Sequence, residues 1–162
     1  MQEFYFKALE DGNFCVSGYE GDEAEIVVPE YYGGAKVTMI FDRVFEGHKE
    51  IKAVKLPETI TDLGEFVFDG CENLKEINLP ESVSCFWGYT FVRCGLEEIV
   101  LPPNLRSLPR GAFKECKNLK KVTCGEGLKR IYSWAFEGCE NLEEVIYGEN
   151  VELSENALTT KK

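Results

Sequence analysis

The chain has 162 residues, 44% of them hydrophobic and 12% aromatic, a length that one core can serve and a composition that excludes wholesale disorder. Its 29 acidic side chains against 18 basic ones leave a formal charge of −11, which argues against nucleic acid and anionic membrane surfaces, since both attract basic clusters. No apolar run approaches the roughly 20 residues that cross a bilayer, so no membrane insertion is expected.

The opening Met1-Gln-Glu-Phe-Tyr-Phe-Lys7 has neither the basic nor the apolar segment of a secretory signal. The chain is therefore expected to be cytoplasmic, or else a mature or truncated form of an exported protein. Phe4 to Leu9 and Phe14 to Val16 flank Glu10-Asp-Gly-Asn13. Asp-Gly tolerates the positive φ of a tight turn, which predicts a capping β-hairpin over 1–22.

A repeat then takes over. Counted from Ile51, apolar side chains stand at offsets 0, 3, 5, 9, 12, 17 and 20: Ile51, Val54, Leu56, Ile60, Leu63, Phe68 and Cys71. The same offsets hold Leu74, Ile77, Leu79, Val83, Phe86, Phe91 and Cys94 in the next unit. They hold Leu96, Ile99, Leu101, Leu105, Leu108, Phe113 and Cys116 in the one after, and Leu119, Val122, Cys124, Leu128, Ile131, Phe136 and Cys139 in the last. The units are 51–73, 74–95, 96–118 and 119–141, the second of them one residue short and without an Asn after its Cys. A first unit, 23–50, fits if five residues are inserted after Pro29, with Gly33-Gly34 in the inserted turn and His48 in the Cys column. Residues 142–162 begin another unit and fade into a C-terminal cap, atypical ends being the rule in repeat arrays.

Offsets 3 and 5 alternate around an outward residue, as in a strand with one buried face. Pro57, Pro80 and Pro102 follow it, because proline cannot donate to the ladder. A second short strand covers offsets 9 to 12. Stacked at about 4.8 Å, such units predict a mostly-β, right-handed solenoid of parallel in-register strands in a single domain over 1–162.

Leu96-Glu-Glu-Ile-Val-Leu-Pro-Pro-Asn-Leu-Arg-Ser-Leu-Pro-Arg-Gly-Ala-Phe-Lys-Glu-Cys-Lys-Asn118 carries the pattern L-x-x-I-x-L-P…F-x-x-C-x-N and resembles the BspA-like class of leucine-rich repeats. The resemblance covers nearly the whole chain. It implies a leucine-rich-repeat solenoid and a non-enzymatic binding or adhesion module, often displayed at the surface of host-associated bacteria. The implied partner is a protein or glycan, of host extracellular origin where the host connection holds.

Seven cysteines cannot pair completely within one chain, so reduced, mostly buried thiols are expected. A parallel ladder aims Cys71, Cys94, Cys116 and Cys139 side by side rather than at one ion, and no C-x-x-C pair exists, so neither metal nor cofactor is expected. His48 above Cys71 is formally a Cys–His dyad, yet a packed thiol is a poor nucleophile, and no catalytic residue is predicted.

Recognition is left to outward columns. Lys52, Lys75, Glu97 and Lys120 at offset 1, with Glu76, Glu98 and Lys121 at offset 2, form either a solvated ion-pair ladder or a charged contact face. Val100, Thr123 and Ile146 at offset 4 are candidates for a partner-binding stripe. Trp87 and Tyr132 at offset 13, with Phe66, Tyr89 and Trp134 at offset 15, are candidates for an aromatic rim that anchors a protein or stacks on sugar. The alternative for those rings is packing over the end of the core. The expected state is a monomer or a weakly self-associating structural solenoid.

Overall fold

The computed structural model describes residues 2–162, so Met1 of the predicted cap lies outside the described residues, among which no helix forms. The hairpin is present as β1 (Glu3–Ala8) and β2 (Phe14–Glu20), antiparallel from Glu3↔Glu20 to Ala8↔Phe14. In its turn the Asp11 carboxylate accepts the Asn13 N–H at 2.9 Å, and Gly12 takes φ 88°.

Each unit contributes two short strands. The first strands are β3 (Glu25–Val27), β6 (Ala53–Lys55), β8 (Glu76–Ile77), β10 (Glu98–Val100), β12 (Lys121–Thr123) and β14 (Glu144–Ile146). Their registers, Ile26↔Val54↔Ile77 and Ile99↔Val122↔Val145, place the offset-3 side chains in one column. The second strands are β5 (Ala35–Ile40), β7 (Asp62–Leu63), β9 (Cys85–Phe86), β11 (Ser107–Leu108), β13 (Arg130–Ile131) and β15 (Glu152–Leu153). The insertion after Pro29 folds β4 (Tyr31–Tyr32) back onto β5 through Gly33 and Gly34, at φ 59° and 83°.

The hairpin does more than cap. β2 pairs in parallel with β5, so the hairpin is itself the first rung of the second-strand ladder, and Val16 is fully buried there. The open edge of β3 is covered by Gln2, whose amide donates to the Glu25 carbonyl at 2.7 Å and accepts the Val27 N–H at 3.4 Å. Edge strands are otherwise templates for unwanted pairing.

Behind the strands runs the aromatic spine. Phe45, Phe68, Phe91, Phe113 and Phe136 are fully buried and stack at 5.6, 5.2, 5.4 and 5.8 Å, with interplanar angles of 10° or less. The cysteine column is buried beside it. Each thiol donates to a phenylalanine carbonyl of the preceding coil: Cys71 to Phe45, Cys94 to Phe68, Cys116 to Phe91 and Cys139 to Phe113, at 2.9 to 3.1 Å. A thiol suits this place because it is small and apolar and still offers one weak donor.

Three predicted core positions in the four full units depart from the pattern: Ile77, Leu79 and Cys124 are only half-buried. For Ile77 and Leu79, in the middle of the stack, the cause lies in the next turn.

Candidate functional site

Three of the turns that follow a column cysteine have two residues before the next leucine: Glu72-Asn73, Lys117-Asn118 and Glu140-Asn141. The amides of Asn73 and Asn141 donate to carbonyls of the preceding coil, Lys49 and Lys117, each at 2.7 Å. After Cys94 there is only Gly95, whose N–H donates to the Cys71 carbonyl at 3.2 Å. A Cβ on Gly95 would lie 2.2 Å from the Glu72 oxygen. The missing residue thus draws this turn directly onto the coil beneath, where only glycine fits.

The consequence appears on both strand faces. β3, β6 and β8 form one parallel sheet and β10, β12 and β14 another, with no pairing between β8 and β10. The second-strand ladder likewise stops at β9 and restarts at β11. Along the phenylalanine edge the same two coils remain joined: the N–H groups of Tyr89, Phe91 and Arg93 donate to Arg110, Ala112 and Lys114 at 3.1, 2.9 and 2.8 Å. The solenoid is therefore continuous along its spine and parted across its strands.

Over the parted first strands lies a groove of about 660 Å³. Val27, Val54, Ile77, Ile99 and Val100 give it an apolar floor, and Glu25, Lys55, Lys75, Glu76 and Glu98 line it with both signs of charge. Val27 is 57% exposed and Val100 70%. The Lys75 ammonium reaches across and donates to the Gly95 carbonyl at 3.0 Å.

Of the residues singled out in the sequence, Lys75, Glu76 and Glu98 line this groove, and Lys75, Glu97, Glu98 and Lys120 border a second hollow of about 410 Å³ next to it. Lys52 is exposed on the same face, where its carbonyl accepts the N–H of Lys75 at 2.9 Å. Lys121 belongs to the ladder instead: it stands in register between Glu98 and Glu144 and approaches the Glu144 carboxylate to 3.9 Å. Within the offset-4 stripe, Thr123 is half-buried, while Val100 and Ile146 are exposed.

The five aromatic candidates separate into two columns. Phe66, Tyr89 and Trp134 occupy a left-handed column with Arg43, Gly111 and Asn156, all at φ between 54° and 65°. Phe66 and Tyr89 stack at 4.9 Å with planes 1° apart, and the Arg43 guanidinium lies over Phe66 at 4.3 Å. A Cβ on Gly111 would come within 2.3 Å of the Tyr89 ring. Phe66 and Tyr89 thus pack along the stack, and all three rings of this column are half-buried. Trp87 and Tyr132 are 46% and 44% exposed, and Phe41, not among the sequence candidates, joins their column at 44%. Phe41 and Val27 hold the offset-13 and offset-4 places of the first unit; the five-residue insertion after Pro29 disguised the columns there.

The thiols are protected rather than activated. Burial pushes Cys71 and Cys139 up to about 12 from the ordinary 9.0. Burial likewise raises Cys94 and Cys116 well above that value. His48 turns its Nδ1 to the Glu50 carboxylate at 2.6 Å, while the Cys71 thiol bonds to the Phe45 carbonyl, so the formal dyad is not assembled. Iodoacetamide at pH 8 is expected to leave these four thiols unlabelled in the native chain and to label them in urea. As pH rises above 9, unfolded thiols ionise while folded ones keep their protons, so stability falls toward pH 12. The slope is about 1.4 kcal/mol per pH unit for each thiol, read from urea midpoints against pH. No group of three or more candidate metal ligands occurs among the described residues.

Residues 38–161 match the sequence profile of the BspA type leucine-rich repeat region in six copies. A search of curated proteins finds no match. Among solved structures, a leucine-rich repeat protein from T. pallidum aligns with a TM-score of 0.74 at 26% identity, over 93% of this chain and 83% of that one. A leucine-rich repeat protein from Bacteroides ovatus aligns with a TM-score of 0.66 at 22% identity, over 94% of this chain and 48% of that one. A leucine-rich cell surface protein from Faecalibacterium prausnitzii gives 0.62 at 20% identity, over 93% and 57%. The chain thus spans about half the length of the latter two. The six matched repeats, the thiol and phenylalanine ladders and the paired short strands together place this chain in the BspA-type leucine-rich repeat family.

Proposed function

We propose that this chain is a non-enzymatic protein-interaction module that receives its partner on the first-strand face, across the parted ladders. The observation that carries this is the groove that runs over β3, β6 and β8 to the unpaired edge of β10. It joins exposed apolar side chains to charges of both signs and to two strand edges that do not pair with each other. A partner's extended backbone can use such edges, with side-chain pockets giving selectivity. The apolar floor supplies area to remove from water, and the surrounding Lys and Glu side chains set orientation more than strength. Adhesion to an extracellular host protein is the finer form of this proposal, and it rests on the family resemblance rather than on the groove.

The test is retention of matrix proteins and bacterial wall polymers by the immobilised chain and by a Val27→Asp, Val100→Asp double variant. Both valines are well exposed, so the variant is expected to fold. The native chain is expected to hold at least one protein that the variant loses by tenfold or more. Equal retention by both chains, or retention of polymers alone, would overturn the proposal.

A further inference from the structure

We propose that a second surface, the hollow walled by Phe41 and Trp87, receives an arginine side chain presented by a partner polypeptide; this goes beyond the groove and rests on the protein-interaction proposal above. Phe41, Gly64 and Trp87 hold the same place on successive rungs: their N–H groups donate to Val16, Ile40 and Leu63, each at 2.9 Å. The two rings are thus two rungs apart, about 10 Å between backbones at ~4.8 Å per rung, which leaves room for one flat group between them. The residue between them has no side chain and can have none, since a Cβ on Gly64 would lie 2.7 Å from the Asp42 nitrogen and 2.8 Å from the Phe41 carbonyl carbon. The resulting hollow is about 340 Å³ and is lined by Met39, Phe41, Asp42, Glu65 and Trp87. One unit further on, Pro109 stands between Trp87 and Tyr132, so the glycine-floored arrangement is not repeated there.

Trp87 is held in place before any ligand arrives: its indole N–H donates to Asp62 at 3.2 Å, and Asp62 in turn accepts the Thr61 hydroxyl at 2.7 Å. Asp42 is anchored too, accepting the Glu65 N–H at 2.8 Å. The walls are therefore aromatic and the rim carries the carboxylates of Asp42 and Glu65. The neighbouring cation, Arg43, is already committed to Glu46 at 2.7 Å and to the Phe66 ring. The charge complement of such a hollow is a cation with an apolar face. A guanidinium meets that description better than an ammonium, because it is planar, weakly hydrated and able to stack while its edge donates to carboxylates. The Arg43–Phe66 contact shows the same geometry within this chain, and the net charge of −11 favours approach by basic segments.

The experiment titrates the full chain with a blocked Gly-Ser-Arg-Ser-Gly peptide, its lysine and citrulline counterparts, and tetramethylammonium, following the two indole N–H resonances by NMR. The arginine peptide is expected to move the Trp87 signal saturably and leave Trp134 in place. Binding is expected to be at least tenfold weaker for citrulline and severalfold weaker for lysine and tetramethylammonium. Phe41→Ala is expected to abolish the shift, and Glu65→Gln, a surface change that leaves packing alone, to weaken binding severalfold. Equal binding of citrulline, or of tetramethylammonium, would overturn the proposal, as would an unmoved Trp87 signal. The Val27→Asp, Val100→Asp variant should bind the arginine peptide normally, which separates failure here from failure of the groove.

Discussion

Replacing Phe91 with alanine is expected to cost about 3–5 kcal/mol of folding stability, the range for emptying a fully enclosed phenylalanine site. Phe91 is completely buried, stacked 5.2 Å from Phe68 and 5.4 Å from Phe113, with Phe86 edge-on at 5.3 Å. Its place in the stack adds a second consequence. Both strand ladders stop between the units 74–95 and 96–118, so the halves are joined by the spine, by the three turn hydrogen bonds on that edge, and by the Cys116 thiol and Asn104 amide donating to the Phe91 and Glu81 carbonyls. A repeat array is stable as the sum of its units and the interfaces between neighbours, and this interface is already the one without strand pairing. Phe91→Ala should therefore broaden urea unfolding into two steps with a lower m-value, whereas Phe113→Ala should lower the midpoint with less loss of cooperativity. A single sharp transition with a loss under about 1.5 kcal/mol would contradict this account.

Gly95→Ala is expected to cost about 1–3 kcal/mol, the usual range for forcing an extra methyl into filled space. The added Cβ would meet the Glu72 oxygen at 2.2 Å, the Glu72 carbonyl carbon at 2.9 Å and the Leu74 oxygen at 3.2 Å, all backbone atoms that cannot rotate away. Gly95 is not among the glycines at positive φ, so the cost is steric rather than conformational. Gly148→Ala is the control: nothing lies within 4 Å of its added Cβ, and the change should be close to neutral in the same thermal or urea series.

Residue spacing alone was sufficient for the stack. Alternation at offsets 3 and 5 specified one buried face, and the phenylalanine and cysteine columns are buried ladders as that spacing demands. The surface was less legible, because outward residues vary without disturbing the core. Tyr89 and Trp87 are only two positions apart, yet one packs against Phe66 and the other stands in water. The left-handed φ at Tyr89 turns its ring along the stack, while Trp87 continues from a strand. Lys121 and Lys120 are adjacent too, and register alone assigns the first to an ion-pair ladder.

By itself the sequence determined the coil, its repeat length, its inward columns and the hairpin that begins it, because hydrophobic periodicity at a constant spacing admits one way to bury those side chains. The absent residue after Cys94 was visible in the same alignment, but its effect was not. Whether one missing residue is absorbed within a turn or propagates into the strands depends on how closely two backbones approach. Only the tertiary structure decided that, by seating Gly95 against Glu72 and leaving β8 and β10 unpaired.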